Sequence, residues 1–207
     1  MIDLYTAANA PNAQKVSIML EETALPYTVN ALDFAKAEQR SAAYLAVNPN
    51  GKVPAIVDRD APGGATLTLT ESGAILVYLA EKSGRLLARD GAARAAALQW
   101  LMFQMSAIGP TFHDAYYFLA LAPERMPAAI DYFMAETTRV LGMLDVQLAG
   151  SAYLAGDYSI ADVATFPWIA AATGGGVPGI EKLQNLRRWY AELGNRPAVQ
   201  RGMRIPA

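Results

Sequence analysis

The chain contains no cysteine and a single histidine, His113, among its 207 residues. Disulfides, cysteine-bound metals and an enzyme thiol are therefore excluded, and no pair of histidines can hold a metal. Any thiol chemistry would depend on a sulfur atom that the ligand brings. Charged residues make up only 17% of the chain and no basic run occurs, so the sequence predicts neither a nucleic-acid partner nor an anionic membrane surface.

The sequence predicts neither a secretory signal at residues 1–5 nor a membrane-spanning run. Residues 1–5 lack the basic and apolar regions of a secretory signal. The most apolar later run, residues 160–173, contains Asp162 and Pro167 and is shorter than the ~20 residues that span a bilayer. We therefore expect a soluble, cytoplasmic protein with no membrane partner. With 53% hydrophobic residues, the chain can form one large domain or two small ones.

Strand and helix patterns alternate over the first 82 residues. The predicted elements are strands 2–6, 27–32, 53–57 and 66–69, helices 15–23 and 72–82, and a loop with a weak helix over 36–46. In the first helix, Glu21 and Glu22 are predicted to face outward. A strand–helix–strand start implies parallel pairing, and Pro62-Gly63-Gly64 marks a hairpin before the last strand. This order predicts an α+β, thioredoxin-like domain over 1–82, built on a mixed four-stranded sheet.

Helical patterns dominate the rest of the chain. After a linker at 83–91, an all-α domain is predicted over 92–207. Its predicted features are a helix over 92–122 interrupted at Gly109-Pro110, a helix over 127–148 closed by Gly150 at the position after its C-cap, a Gly-rich loop over 173–179, and a last helix over 180–193. Ser159 and Asp162 form a capping-box pattern before an apolar helix.

Two short strings carry the chemistry of the first domain: N-P-N-G-K-V-P-A-I at 48–56 and E-S-G-A-I at 71–75. With a cis bond before Pro54, the backbone of Val53 would face outward and pair with an extended peptide; a trans turn proline is the commoner alternative. At the helix start, Glu71 could meet an ammonium group and Ser72 a carboxylate. The alternative is that Ser72 caps its own helix.

Two compatible roles are open to Asn12, which precedes the first predicted helix. Asparagine is a good N-cap residue. Its amide could instead donate a hydrogen bond to a sulfur anion. Ionising most of a thiol of pKa ~8.5 at neutral pH takes about 2.7 kcal/mol. One amide donor together with a helix N-terminus can supply that amount.

The sequence resembles the glutathione transferase superfamily along almost its whole length. Four strings follow the order and spacing of that family: N-P-N-G-K-V-P-A-I, E-S-G-A-I-L-V-Y-L-A-E-K, Y-S-I-A-D and N-R-P-A-V. The string A-P-N-A-Q-K-V at 10–16 is similar to the signature of the Nu-class, disulfide-bond-reductase-like group. The resemblance implies the glutathione transferase architecture, a homodimer, glutathione as co-substrate and no metal.

Site residues are also implied by the resemblance. Asn12 would face the sulfur as the catalytic residue. The implied glutathione contacts are Asn12 at the sulfur, Glu71 and Ser72 at the γ-glutamyl end, Val53 with Pro54 at the cysteinyl backbone, and Gln39 and Lys52 near the glycyl end. Tyr5 is the other candidate sulfur donor, since several transferase classes use a tyrosine of the first strand.

Three positions depart from the pattern of the group. Ala10 stands where threonine or serine is common, Ala13 where glycine is usual, and Tyr132 where some members carry arginine. Fewer hydrogen-bond donors predict weaker activation of the sulfur. These departures keep a rival interpretation open, in which the protein is a non-catalytic regulatory module that binds glutathione or another ligand.

An acceptor pocket between the domains is the last implication of the resemblance. Its implied lining is Ala10, Phe103, Ser106, Phe112 and Tyr116, although aromatic residues at such spacing more often belong to a core. The sequence thus predicts a glutathione-dependent transferase or oxidoreductase. Its substrates would be disulfides, small electrophiles, or both.

Overall fold

The computed structural model describes residues 1–175, 177 and 179–206, which form two compact units. One unit comprises Met1–Arg89 together with the segment from Gly194 onward, and the other comprises Asp90–Leu193. The segment from Gly194 onward thus differs from the predicted boundaries, which placed it with the helical domain. Over the described ranges, no helix combines the length and apolarity needed to cross a membrane.

A four-stranded mixed sheet forms the centre of the first unit, as predicted. The strands are β1 (Ile2–Thr6), β2 (Tyr27–Ala31), β3 (Ala55–Asp58) and β4 (Leu67–Thr70), in the order β2-β1-β3-β4. β1 and β2 are parallel, whereas β3 runs antiparallel to both β1 and β4. The register pairs Ala55 with Tyr5 on one side and with Thr70 on the other. The ends of three strands therefore meet at one edge of the sheet.

Helices account for most of the remaining described chain. They are α1 (Pro11–Thr23), α2 (Ala42–Leu45), α3 (Ser72–Ser83), α4 (Gly91–Phe103), α5 (Gly109–Tyr116), α6 (Pro127–Ala149), α7 (Ile160–Gly174), α8 (Gln184–Gly194) and α9 (Pro197–Gly202). In the first unit α1 packs against α3. Their apolar positions, among them Val16, Met19, Ile75 and Leu79, are fully buried, and this burial is the main force that holds both helices in place.

The short helix α9 corrects the prediction for Glu22. This side chain is only 6% exposed and forms an ion pair with Arg196 at 2.8 Å, while Glu21 pairs with Arg201. α9 approaches α1 so closely that a Cβ atom on Gly202 would lie 2.5 Å from the Cα atom of Ile18. Glu22 therefore faces a helix that the sequence pattern did not reveal, because α9 is too short to show a helical period.

A continuous helical path runs from α4 to Leu121, so the predicted interruption at Gly109-Pro110 is wrong. π-helical segments at Gln104–Ile108 and Tyr117–Leu121 join and extend α5. Pro110 lies in the first turn of α5, directly after a π segment. The wider π turn leaves room for the proline ring. The backbone hydrogen-bond pattern changes there to accommodate a residue without an N–H group, so the helix continues past Pro110.

The capping box at the start of α7 is confirmed. Ser159 caps the helix and the Asp162 carboxylate accepts from the Ser159 backbone N–H. Asp162 also accepts from the N–H of Leu154 and from the indole N–H of Trp189 at 2.8 Å. Burial raises the pKa of Asp162, and these hydrogen bonds oppose that shift. The box therefore fastens α7 to α8 as well as starting a helix.

Two other helix ends differ from the prediction. Gly150 is the C-cap residue of α6 with φ −103°, so it does not take the left-handed conformation expected after a C-cap. The predicted last helix is divided into a 3₁₀ turn, Ile180–Lys182, and α8, and α9 follows it. Of the predicted Gly-rich loop, Gly174 ends α7, and residues 176 and 178 lie outside the described residues.

Candidate functional site

The loop before β3 is fixed from inside by two side chains. The hydroxyl of Tyr44 donates to the carbonyl oxygen of Lys52 at 2.5 Å, and the amide of Asn48 donates to the same oxygen at 2.6 Å. Both side chains are buried, Tyr44 at 2% exposure and Asn48 at 5%. The next peptide bond, Val53-Pro54, is cis, so the trans alternative is wrong. Two donors on one carbonyl leave the Lys52–Val53 segment little freedom to rotate.

The backbone of Val53 is the exposed edge of this loop. Within the part of the chain that the structure describes, its N–H and C=O make no hydrogen bond to protein. Val53 is half-buried, Pro54 is buried and the Lys52 side chain is exposed. Backbone groups with no protein partner are normally paired with water or with a ligand. Val53 can therefore add the backbone of an extended peptide to this edge.

Gly51 and Gln39 meet on one side of the same loop. Gly51 has φ +63°, and a Cβ atom there would lie 2.9 Å from the Gln39 carbonyl oxygen. Both the positive φ and the lack of space for a Cβ atom require glycine at this position. The Gln39 side-chain oxygen is buried and has no hydrogen-bond partner among the described residues. A buried acceptor in that state favours a ligand or water that brings a donor.

The turn from β4 into α3 places Glu71 beside the start of β3. Glu71 has φ 67° and ψ 110°, a conformation that costs a non-glycine residue about 1–3 kcal/mol. It is the N-cap residue of α3 and makes no side-chain cap hydrogen bond, so the alternative that Ser72 is the N-cap of α3 is wrong. The uncapped N-terminus of a twelve-residue helix attracts an anion. Glu71 itself is exposed, in a position to meet a cation.

Asn12 is the second residue of α1, so its predicted role as N-cap is wrong. Ala10 takes the N-cap position and offers no side-chain hydrogen bond. Pro11 has no N–H group, which makes Asn12 the first residue of α1 that carries one. The following N–H groups, of Ala13 and Gln14, both bond to the Ala10 carbonyl at 2.9 Å. Asn12 therefore presents its amide, half-buried, at the positive end of the helix.

Tyr5 packs inside the first unit. Its ring lies 5.6 Å from the ring of Tyr44, centroid to centroid, and its side of β1 is half-buried. This contact braces the tyrosine that holds Lys52. Tyr5 therefore makes a packing contact. Of the two candidate sulfur donors, Asn12 is the one that lies at a helix N-terminus.

Lys15 was not recognised in the sequence as part of the site. It is completely buried, and its ammonium donates to the Ser72 hydroxyl at 3.4 Å. Lys15 lies three residues after Asn12 and four before the buried Met19, so it shares a helix face with the core. A lysine on an apolar face was the signal available in the sequence. Through this contact the beginnings of α1 and α3 adjoin.

The predicted acceptor residues of the second unit have different environments. Phe112 is buried and packs edge-to-face on Trp168, with centroids 6.5 Å apart. Phe103 is half-buried against Trp100, whereas Ser106 and Tyr116 are exposed. Phe112 thus belongs to the core of this unit, the alternative noted for aromatic residues. The acceptor pocket itself stays a prediction.

A cavity of about 640 Å³ lies elsewhere in the second unit, between α7 and α8. Ile169, Thr173, Leu186 and Tyr190 are among its lining residues. None of the predicted acceptor residues lines it.

Metal chemistry has no group to support it in the described ranges. No cluster of three or more His, Asp or Glu side chains there could hold a metal ion. His113 is exposed at the protein surface, where its Nδ1 atom lies 3.1 Å from the Asp114 carboxylate. The groups brought together at the sheet edge are amides, hydroxyls, a carboxylate and an ammonium, which suit a zwitterionic peptide ligand.

Comparison with known proteins gives a family and several close relatives. The family model "Glutathione S-transferase, N-terminal domain" matches residues 10–82, and the model of the C-terminal domain matches residues 106–197. The disulfide-bond oxidoreductase YfcG of Escherichia coli (strain K12) is 41% identical over 201 residues, which cover 96% of this chain and 93% of YfcG.

Two solved structures share the fold with a TM-score of 0.94 each. A glutathione transferase family member from Pseudomonas fluorescens Pf-5, with two glutathione bound, is 44% identical, and the match covers 99% of this chain and 93% of that one. A glutathione transferase from Pseudomonas putida, with one glutathione disulfide bound per subunit, is 42% identical, with 100% and 92% covered.

Proposed function

Because this chain belongs to the glutathione S-transferase family, we propose that it is a glutathione-dependent enzyme that reduces disulfides and conjugates small electrophiles weakly. The observation that carries the proposal is the 41% identity to a disulfide-bond oxidoreductase over nearly the whole chain. A related structure that holds glutathione disulfide supports the same reaction. The chain has no cysteine, so both sulfur atoms of the exchange come from glutathione and the substrate.

Each polar group at the sheet edge has a proposed partner on glutathione. The carboxylate of the γ-glutamyl end lies at the uncapped start of α3, against Ser72, and its ammonium faces Glu71. The cysteinyl backbone pairs with the N–H and C=O of Val53. Gln39 and Lys52 receive the glycyl end, where the buried Gln39 oxygen gains a donor.

Sulfur activation is the proposed role of Asn12. At the N-terminus of α1, its amide and the helix dipole stabilise a thiolate relative to a thiol, which lowers the thiol pKa. The glutathione thiolate attacks one sulfur of a substrate disulfide, forms a mixed disulfide and releases the second sulfur as a thiolate. A second glutathione thiolate attacks the mixed disulfide, and glutathione disulfide and the other substrate thiolate leave.

Conjugation follows from the same thiolate. The glutathione sulfur forms a bond to an electrophilic carbon and the leaving group departs with the electron pair. This reaction needs one glutathione and an apolar acceptor site. We expect the missing hydroxyl at Ala10 to slow conjugation and disulfide reduction alike, because both reactions use this thiolate.

A calorimetric titration with reduced glutathione and with glutathione disulfide tests the proposal. Disulfide reduction predicts micromolar affinity for glutathione disulfide, or two reduced molecules per subunit. One reduced molecule per subunit with no preference for the disulfide would favour a conjugating transferase. Binding of neither would overturn the proposed function.

A non-catalytic glutathione-binding module is the second candidate. Ala10 at the N-cap of α1 and Tyr132, exposed on α6, leave two donors of the family pattern missing. This candidate predicts that glutathione binds but that no disulfide is reduced above the uncatalysed rate.

We also propose a cellular compartment and an oligomeric state for this protein. The proposed reaction consumes reduced glutathione, so we propose that the protein acts in the cytoplasm, where the glutathione pool is reducing. We further propose a homodimer, as the family resemblance implies. Light scattering coupled to size-exclusion chromatography measures the assembly directly.

A further inference from the structure

Lys15 is a buried cation beside the proposed γ-glutamyl site. Its side chain is 0% exposed, and its Nζ atom lies 3.4 Å from the hydroxyl oxygen of Ser72. Ser72 is itself only 3% exposed and begins α3. The ammonium therefore supports this hydroxyl from inside the unit.

Lys15 also interacts electrostatically with a residue of the proposed γ-glutamyl site. The Glu71 carboxylate acts on Lys15 and favours its ammonium form. Burial acts in the opposite direction and more strongly, so the pKa of Lys15 falls to about 7. Other charged groups on the elements packed against α1 form their own ion pairs: Asp3 with Arg59, Glu21 with Arg201, Glu22 with Arg196, and Lys82 with Asp58.

We propose that Lys15 is a positioning residue of the glutathione site and that glutathione binding is coupled to proton uptake at its Nζ atom. This inference rests on the proposed function, because it takes glutathione as the ligand of Glu71 and Ser72. Lys15 does not touch the ligand in this account. It acts through the Ser72 hydroxyl and the Glu71 carboxylate.

The coupling follows from the charges that the ligand brings. The γ-glutamyl carboxylate at Ser72 adds a negative charge near the Lys15 ammonium, which favours the protonated form. The ligand ammonium would meet the exposed carboxylate of Glu71, where water screens its charge more strongly than it screens a charge at the buried Ser72 hydroxyl. At pH 7.5 the empty site holds Lys15 partly neutral, so binding draws a proton from solution. An uncharged side chain of the same size would fill the space but could not take up this proton.

Calorimetry with S-methylglutathione measures the coupling directly. The blocked thiol of this probe does not titrate, so its ionisation cannot contribute. Titrations at pH 7.5 in phosphate and in Tris, whose ionisation enthalpies differ, give the number of protons bound. Wild type is expected to take up roughly 0.5–0.8 proton per ligand, and its affinity should weaken roughly tenfold between pH 6.5 and 8.5.

Two variants separate this role from a purely structural one. Lys15→Met retains the length of the side chain and should bind more weakly, with no proton uptake. Ser17→Ala is the matched control, since Ser17 is buried on the same helix and its hydroxyl donates to the Ala13 carbonyl, one turn earlier. This control should keep the proton uptake of wild type.

The inference fails if wild type binds S-methylglutathione with no proton uptake, a result that does not depend on how any variant folds. It also fails if Lys15→Met takes up as many protons as wild type. Absence of S-methylglutathione binding to wild type would instead overturn the proposed function.

Discussion

The hydroxyl of Tyr44 donates a 2.5 Å hydrogen bond to the carbonyl oxygen of Lys52, eight residues later in the chain. This bond connects a buried side chain of α2 to the peptide before Val53. Asn48 donates to the same oxygen. The backbone edge that we assign to the cysteinyl part of glutathione is therefore held by two buried donors.

Tyr44→Phe should weaken glutathione binding by about fivefold, because one hydrogen bond contributes about 1 kcal/mol. The ring contact with Tyr5 remains, so the unit should stay folded. Isothermal titration of glutathione measures the change. Tyr153→Phe, which removes a hydroxyl bonded to Glu192 in the second unit, is the control and should leave the affinity unchanged. An unaltered dissociation constant in Tyr44→Phe would show that Asn48 alone holds the loop.

Asn12→Ala should lower the rate of disulfide reduction by roughly tenfold, because the variant loses the amide's share of the stabilisation of about 2.7 kcal/mol and retains the share of the helix N-terminus. Affinity for glutathione should change little, because the γ-glutamyl and backbone contacts remain. The pH at which the rate rises should move upward, toward the ordinary thiol pKa. Asn195→Ala, at an exposed position of the first unit, is the control. A rate within threefold of wild type would rule out Asn12 as the sulfur donor.

Lys15→Met should raise the free energy of unfolding at pH 6.5 by about 1–4 kcal/mol, because a buried ammonium is replaced by an apolar side chain. The pKa of Lys15, about 7 in the folded protein, lies below its usual 10.5. Between these values the unfolded chain retains the proton and the folded protein does not, so wild-type stability rises with pH. The burial penalty is full below pH 7 and is gone above 10.5.

Urea unfolding of wild type and Lys15→Met at pH 6.5 and at pH 9.5 tests the predicted direction of this pH dependence. The advantage of Lys15→Met should be larger at pH 6.5. Lys36→Met is the control, since the Lys36 side chain is 73% exposed and should give no such difference. A larger advantage at pH 9.5 would contradict the lowered pKa.

Much of the fold could be predicted from residues that are close in sequence. The period of two in β1 and β4, the capping box at Ser159 and Asp162, and the cis-proline string at Val53-Pro54 all depend on neighbours a few positions away. The buried state of Glu22 could not be predicted in the same way. It depends on Arg196, 174 residues further along the chain, and on a helix of only six residues.

The sequence strings of the candidate site were recognisable to the same extent. Val53, Glu71 and Ser72 belong to recognisable strings, and the register of Ala55 with Thr70 brings those strings together. The supports behind them were missed. Tyr44 bonds to a loop residue and Lys15 to a residue of α3, and even the signal of a lysine on an apolar helix face does not identify its partner.

Gly202→Ala and Gly142→Ala should change stability in opposite directions. A Cβ atom at Gly202 would lie 2.5 Å from the backbone of Ile18, so α9 would have to move away from α1 and the protein should lose stability. At Gly142, inside α6, no atom lies within 4 Å of the added Cβ atom, and alanine should gain about 0.5–1 kcal/mol. Thermal unfolding of both variants measures the two shifts. A stable Gly202→Ala would contradict the close approach of α9 to α1.

Asp162→Ala should lower the free energy of unfolding by at least about 3 kcal/mol, because buried donors on Leu154, Ser159 and Trp189 would lose their acceptor. Asp162→Asn keeps one acceptor oxygen and should lose less. The exposed Asp131, on α6, provides the control Asp131→Ala, which should stay within about 0.5 kcal/mol of wild type. Equal losses in the alanine and asparagine variants would contradict the role of the carboxylate as a shared acceptor.

The central claim is that this protein reduces disulfides with glutathione as the source of both electrons. The direct measurement is the initial rate of reduction of bis(2-hydroxyethyl) disulfide by glutathione, with glutathione disulfide quantified as the product. We expect wild type to accelerate the reaction above its uncatalysed rate and to form one glutathione disulfide for each substrate disulfide reduced. No acceleration by a protein that still binds glutathione would contradict it, and would leave a binding module.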